Sequence, residues 1–114
     1  MTSRIQNVTS KLQDDQNFLI TNPVNVRYLC GYSGSNGILL VTPQNAFLFT
    51  DSRYEIQADK ECFDVDVEIS TDLYKSALDA LTASTCLFEA KHMTVAALER
   101  LKAIKTEIEY RASE

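Results

Sequence analysis

A three-layer α/β domain, with a mixed sheet of about six strands between helices, is predicted by three features of this sequence. Strand-like and helix-like segments alternate along most of the chain. One pair of strands is joined by a short turn and reads as a hairpin. Several strands are continuously apolar, as strands covered on both faces must be.

The elements follow in order. Ile5, Val8 and Leu12 recur at helical spacing, so the first segment reads as an amphipathic helix ended by Asp14-Asp15-Gln16-Asn17. Phe18-Leu19-Ile20 reads as a central strand. Asn22-Pro23 opens a helix, because Asn caps free amides and Pro at the first turn loses no hydrogen bond. Val26, Leu29 and Cys30 share its inner face, and Gly31 stops it. A glycine-rich loop, residues 31–37, leads into the strand Ile38–Val41. Pro43-Gln44-Asn45 turns the chain into the returning strand Ala46–Phe49.

Thr50-Asp51-Ser52 opens another helix. Ser52 with Glu55 fits a capping box, Asp51 is the competing cap, and Tyr54 and Ala58 are expected inside. Val65, Val67 and Ile69 alternate with Asp64, Asp66 and Glu68, which predicts a half-exposed edge strand. Thr71-Asp72 caps a helix with Leu73, Ala77, Leu78 and Leu81 inside. Cys86-Leu87-Phe88 is a buried strand. Thr94 starts a helix expected to bury Val95, Leu98 and Leu101, and Ile108 and Tyr110 alternate in a last short strand. The end, Arg111-Ala112-Ser113-Glu114, shows no closing element, so the natural protein is expected to continue.

With 114 residues, the chain reads as one domain over 1–114, long enough to bury a core without disulfides or a structural metal. A formal charge of −5 gives no electrostatic footprint for nucleic acid or an anionic membrane. No apolar run approaches the length of a membrane span, and the first residues carry no secretory signal, so a cytoplasmic location is expected. Cys30, Cys62 and Cys86 stand far apart in sequence with no C-x-x-C among them. They read as small buried hydrophobes in a reducing compartment, with a redox role as the alternative.

The segments that could carry chemistry each have a plainer structural role. Gly31-Tyr32-Ser33-Gly34-Ser35 approaches the G-x-S-x-G nucleophile elbow, but position 35 is Ser and the loop runs from helix to strand, the reverse of what an elbow needs. A phosphate cradle fails for the same reason, since its glycines must lead into a helix N-terminus. The glycines at 31, 34 and 37 are expected to allow positive φ and close backbone contacts. Asp64, Asp66 and Glu68 project from one face of a strand and spread along it, which suits a solvated edge better than a metal site. His92 is the only histidine and can build neither a His-rich metal site nor a triad; an exposed loop position is expected. Asp51-Ser52-Arg53-Tyr54 reads as a capped junction or as part of an interdomain surface. The residues alone yield no complete catalytic set.

Several segments together resemble one family. Ile20-Thr21-Asn22-Pro23-Val24-Asn25-Val26-Arg27-Tyr28-Leu29, then Gly31-Tyr32-Ser33-Gly34-Ser35, then Leu48-Phe49-Thr50-Asp51-Ser52-Arg53-Tyr54 with Gln57-Ala58, and Leu87-Phe88-Glu89 with Met93-Thr94-Val95 and Leu98–Leu101 are similar, in order, to the creatinase/prolidase N-terminal domain of Xaa-Pro dipeptidases and aminopeptidases. The resemblance covers roughly residues 4 to 110. It implies a ribonuclease-H-like fold and a following pita-bread catalytic domain, absent here, that binds two divalent ions (Mn, Co or Zn) through two Asp, one His and two Glu. No catalytic or metal-binding residue carries over to this chain, and no cofactor is expected in it.

The resemblance further implies a domain that is not an enzyme by itself. It would support a homodimer and narrow the active-site entrance of a parent acting on small proline-containing peptides. Tyr32, Ser33, Ser35, Asn36, Arg53 and Tyr54 are the expected contact surface toward the catalytic domain. An exposed apolar patch is expected where that domain docks. The alternatives are the same domain from a creatinase-like hydrolase or from a non-enzymatic binding module.

Overall fold

The structure is a computed structural model that describes residues 4–113; Met1–Ser3 and Glu114 lie outside it. Its elements are α1 (Arg4–Thr9), β1 (Gln16–Ile20), α2 (Pro23–Cys30), β2 (Gly37–Val41), β3 (Ala46–Thr50), a 3-10 turn (Ser52–Tyr54), α3 (Glu55–Glu61), β4 (Asp66–Ile69), α4 (Leu73–Asp79), β5 (Thr85–Glu89), α5 (Val95–Ile104) and β6 (Glu109–Ser113). The six strands form one sheet in the order β4-β3-β2-β1-β5-β6. β2 is antiparallel to both its neighbours, and the remaining pairs are parallel. Five strands therefore end at the same edge of the sheet and only β2 begins there.

The central strands look uniformly apolar because each feeds two cores. Ile20, Leu39, Val41 and Leu48 point to a cluster completed by Ile5, Val26, Leu29, Cys30 and Ala58, under α1, α2 and α3. Leu19, Ile38, Leu40 and Phe49 point to the other face, against Ala77, Leu78 and Leu101 of α4 and α5. Each fully buried leucine on either face stabilises the domain by roughly 1.5–3 kcal/mol relative to exposure. The edge strand β4 is mostly exposed, as its acidic alternation predicts.

Most helix signals act where the sequence puts them. The Asn22 side chain accepts from the Val24 amide at 3.0 Å, and Gly31 ends α2 with φ 86° while its amide bonds Arg27 O. The Asp72 and Thr94 side chains cap α4 and α5.

Four expectations need correction. Asp51, not Ser52, is the cap: the chain first makes a 3-10 turn, with the Tyr54 amide on Asp51 O at 3.0 Å, so Ser52 lies inside the turn. α1 stops at Thr9, before Leu12, where the Thr9 and Ser10 hydroxyls bond the Gln6 and Asn7 carbonyls and compete with the helical ladder. Val95 is 75% exposed. It lies six residues from the buried Leu101, about one and two-thirds turns, and so points away from the core. The C-terminal residues are ordered strand: β6 pairs with β5 as far as Ser113.

Candidate functional site

The shared edge where five strands end gathers most segments singled out in the sequence. Loop 31–37 enters β2 there, and Asp51–Tyr54 leaves β3 there, with Gly37 paired to Thr50. Residues 21–22 and 90–93 follow β1 and β5 at the same edge. In open α/β sheets the carboxyl ends of the strands are where ligands usually bind.

Tyr32 organises the loop and is not on its surface. It is only 2% exposed, so any part it takes in the expected contact surface is through the shape of the loop over it. Its hydroxyl bonds Thr50 Oγ1 at 2.9 Å and donates to the Asn36 carbonyl at 3.1 Å. Burial pushes the Tyr32 hydroxyl pKa up. Among the described residues, only Gly31 of the three glycines takes positive φ. Gly34 serves instead by close approach: a Cβ there would sit 2.1 Å from the Tyr32 hydroxyl oxygen and 2.3 Å from the ring.

The other candidate residues ring this buried tyrosine. Ser33 is exposed and clipped to α3: its amide and hydroxyl donate to Glu61 Oε1 at 2.8 and 2.9 Å. These bonds, the backbone one first, hold the Glu61 carboxyl below its usual range. The Ser35 hydroxyl bonds the Tyr54 hydroxyl. Asn36 donates to Asp51 Oδ2 at 2.6 Å. Arg53 grips Asp51 with Nε at 3.0 Å and Nη2 at 2.9 Å, and its guanidinium lies 5.3 Å from the Tyr54 ring centre. The Arg53 guanidinium, followed by the Asn36 amide, keeps Asp51 ionised far below the ordinary carboxylate range. The outcome is a cross-braced polar rim with Ser33, Ser35 and Arg53 exposed and Asn36 and Tyr54 half-buried.

Sequence reasoning missed the second half of the edge. Glu89, buried at the end of β5, accepts from the Thr21 amide at 2.7 Å, the Asn22 amide at 2.9 Å and Asn25 Nδ2 at 2.5 Å. A hollow of about 630 Å³ lies beside it, lined among others by Phe18, Tyr28, Lys91 and the exposed His92. The position of Glu89 at a strand end was readable; its partners, more than sixty residues earlier, were not.

A divalent metal does not fit these residues. Among the described residues, no three His, Cys, Asp or Glu side chains converge as a ligand set. Asp66 and Glu68 lie along the exposed strand β4, Glu89 is engaged by backbone and Asn25 donors, and Asp51 is held by Arg53.

Residues 4–110 match the creatinase/prolidase N-terminal domain. The chain belongs to that family. Among solved creatinase/prolidase-type structures, the aminopeptidase P (Xaa-Pro aminopeptidase) of Streptococcus thermophilus superposes with a TM-score of 0.83 at 25% identity, covering 97% of this chain and 88% of that one. The N-terminal domain of the cytoplasmic peptidase PepQ of Mycobacterium tuberculosis gives 0.76 at 31% identity, covering 96% and 87%. The X-Pro aminopeptidase of Thermotoga maritima gives 0.76 at 26% identity; the match covers 95% of this chain but 32% of that one. A stretch of 34 residues is 50% identical to Xaa-Pro aminopeptidase 1 of Dictyostelium discoideum, which is 30% of this chain and 5% of that protein. The fold of this creatinase/prolidase N-terminal domain, a six-stranded mixed sheet between helices, is the one its sequence predicts. No helix among the described residues is long and apolar enough to cross a membrane.

Proposed function

We propose that this domain is the non-catalytic N-terminal part of a proline-specific metallopeptidase, an Xaa-Pro dipeptidase or aminopeptidase, where it supports a homodimer and narrows the entrance to the active site. The two divalent ions (Mn, Co or Zn) and the peptide-cleaving groups belong to the following catalytic domain. The observation that carries the reading is the rim formed by loop 31–37 and Asp51–Tyr54. Two separate stretches with family-like sequence meet at one sheet edge and are cross-braced by the Asn36–Asp51 and Ser35–Tyr54 bonds. A wall that excludes long peptides must hold its shape, and this one is fixed from within by Tyr32. Val24 and Tyr28 on α2, with Ile56 and Phe63 on and after α3, are exposed apolar side chains of the kind a docking domain covers.

The test has two parts. The purified 114-residue chain, supplied with Mn, Co or Zn, should cleave no Xaa-Pro dipeptide; turnover would overturn the assignment of the chemistry to another domain. In the full-length peptidase, Ser35→Trp should change the ratio of kcat/KM for short against longer Xaa-Pro peptides by roughly tenfold, the scale of a pocket contact. An unchanged ratio would remove the rim from the entrance.

A further inference from the structure

Cys30 ends α2 and Cys62 caps α3. They lie side by side in the fold, because the Phe63 amide, next to Cys62, donates to the Cys30 carbonyl at 3.0 Å. The residue on the other side of Cys62 is just as near: the Glu61 carbonyl oxygen would stand 2.6 Å from a Cβ on Gly31. Cys62 packs against the apolar cluster that contains Cys30, and the two thiols are close enough to shift each other's titration. Cys30 is buried and Cys62 half-buried, so the pair meets solvent from the Cys62 side. Cys86 belongs to the core on the opposite face of the sheet.

We propose that Cys30 and Cys62 are a redox modification site that closes to a reversible disulfide with hydrogen peroxide or a small-molecule disulfide as oxidant. With peroxide, one sulfur of the pair, as thiolate, displaces hydroxide and becomes a sulfenic acid; the other sulfur displaces the second hydroxide and closes the S–S bond. Two S–H bonds and the O–O bond are lost, two electrons pass to peroxide, and two waters form. With a small-molecule disulfide, two successive exchanges release two equivalents of its thiol. The neighbouring thiol also helps the first deprotonation: the contact with Cys62 lowers the Cys30 pKa, while that same contact raises Cys62. Cys86 has no such help, and burial pushes it up to about 12. The bond fastens the end of α2 to the end of α3 directly beneath loop 31–37, whose Ser33 is already clipped to Glu61.

The chain is treated in its folded state with peroxide and, separately, with oxidised glutathione. Remaining thiols are then alkylated and the peptides mapped by mass spectrometry. The expected result is loss of two of the three free thiols together, as one cross-linked Cys30–Cys62 peptide from a monomer, restored by dithiothreitol. Cys86 should be alkylated only after denaturation. Three results would overturn the proposal: Cys62 modified while Cys30 stays free, chains joined to each other through Cys62, or all three thiols surviving oxidant that converts the methionines to sulfoxides.

Discussion

The two halves of the candidate edge are held in opposite ways. On one, a loop closes over an aromatic ring: Tyr32 fills the space under residues 34–37, and the polar rim is fastened around it. On the other, a carboxylate gathers backbone: Glu89 collects the Thr21 and Asn22 amides and the Asn25 side chain. The ring tolerates no added volume. The carboxylate tolerates some loss, because a hollow beside it can admit water. The contrast teaches that the loop half depends on shape and the α2 half on satisfied donors.

Gly34→Ala should separate the two most sharply. The new methyl would overlap the Tyr32 hydroxyl and ring, and Tyr32 cannot swing away while it is buried and bonded to Thr50 and Asn36. A loss of about 3 kcal/mol is expected in urea unfolding, at the upper end for overpacking. Combining it with Tyr32→Leu should cost clearly less than the sum of the two changes; strict additivity would mean the ring does not occupy that space. Glu89→Ala comes next. It strands two backbone donors, worth about 1–3 kcal/mol apiece when fully dry, but water entering from the hollow should hold the total near about 2 kcal/mol. Glu89→Gln, which keeps one acceptor oxygen, should recover about half.

How much of this was legible follows from sequence distance. The caps at Asn22, Asp72 and Thr94 and the stop at Gly31 were readable because each acts on amides or carbonyls within four residues. The two-core sheet was readable because continuous apolar runs bounded by turns demand cover on both faces. The contacts that make the edge were not: Ser33 with Glu61, Asn36 with Asp51 and Asn25 with Glu89 depend on which strands become neighbours, and hydrophobic period carries no strand order. The burial of Tyr32 was hidden for a related reason. A family-like motif does not say which of its atoms face outward, yet Gly34 is the mark of a loop folded onto its own ring.

Smaller changes sharpen the same contrast within the loop half. Tyr32→Phe keeps the ring and removes only its bonds to Thr50 and Asn36, so about 1 kcal/mol should be lost, well short of the glycine change. A loss equal to that of Gly34→Ala would shift the weight from shape to polar bonding.

The mildest effect belongs to the outer clip between Ser33 and Glu61. Both partners meet water, so Glu61→Gln should leave the unfolding midpoint of the domain unchanged at neutral pH. Its signature is local and pH-dependent. The Ser33 amide and hydroxyl lower the Glu61 pKa in the fold, so the clip contributes fully above the unfolded carboxylate value of about 4.3 and is lost as pH falls through the lower folded value. The Ser33 amide resonance should therefore hold steady from neutral pH down to the ordinary carboxylate range, move below it, and stay flat throughout in Glu61→Gln. A Ser33 titration surviving in the variant would assign the proton to another group.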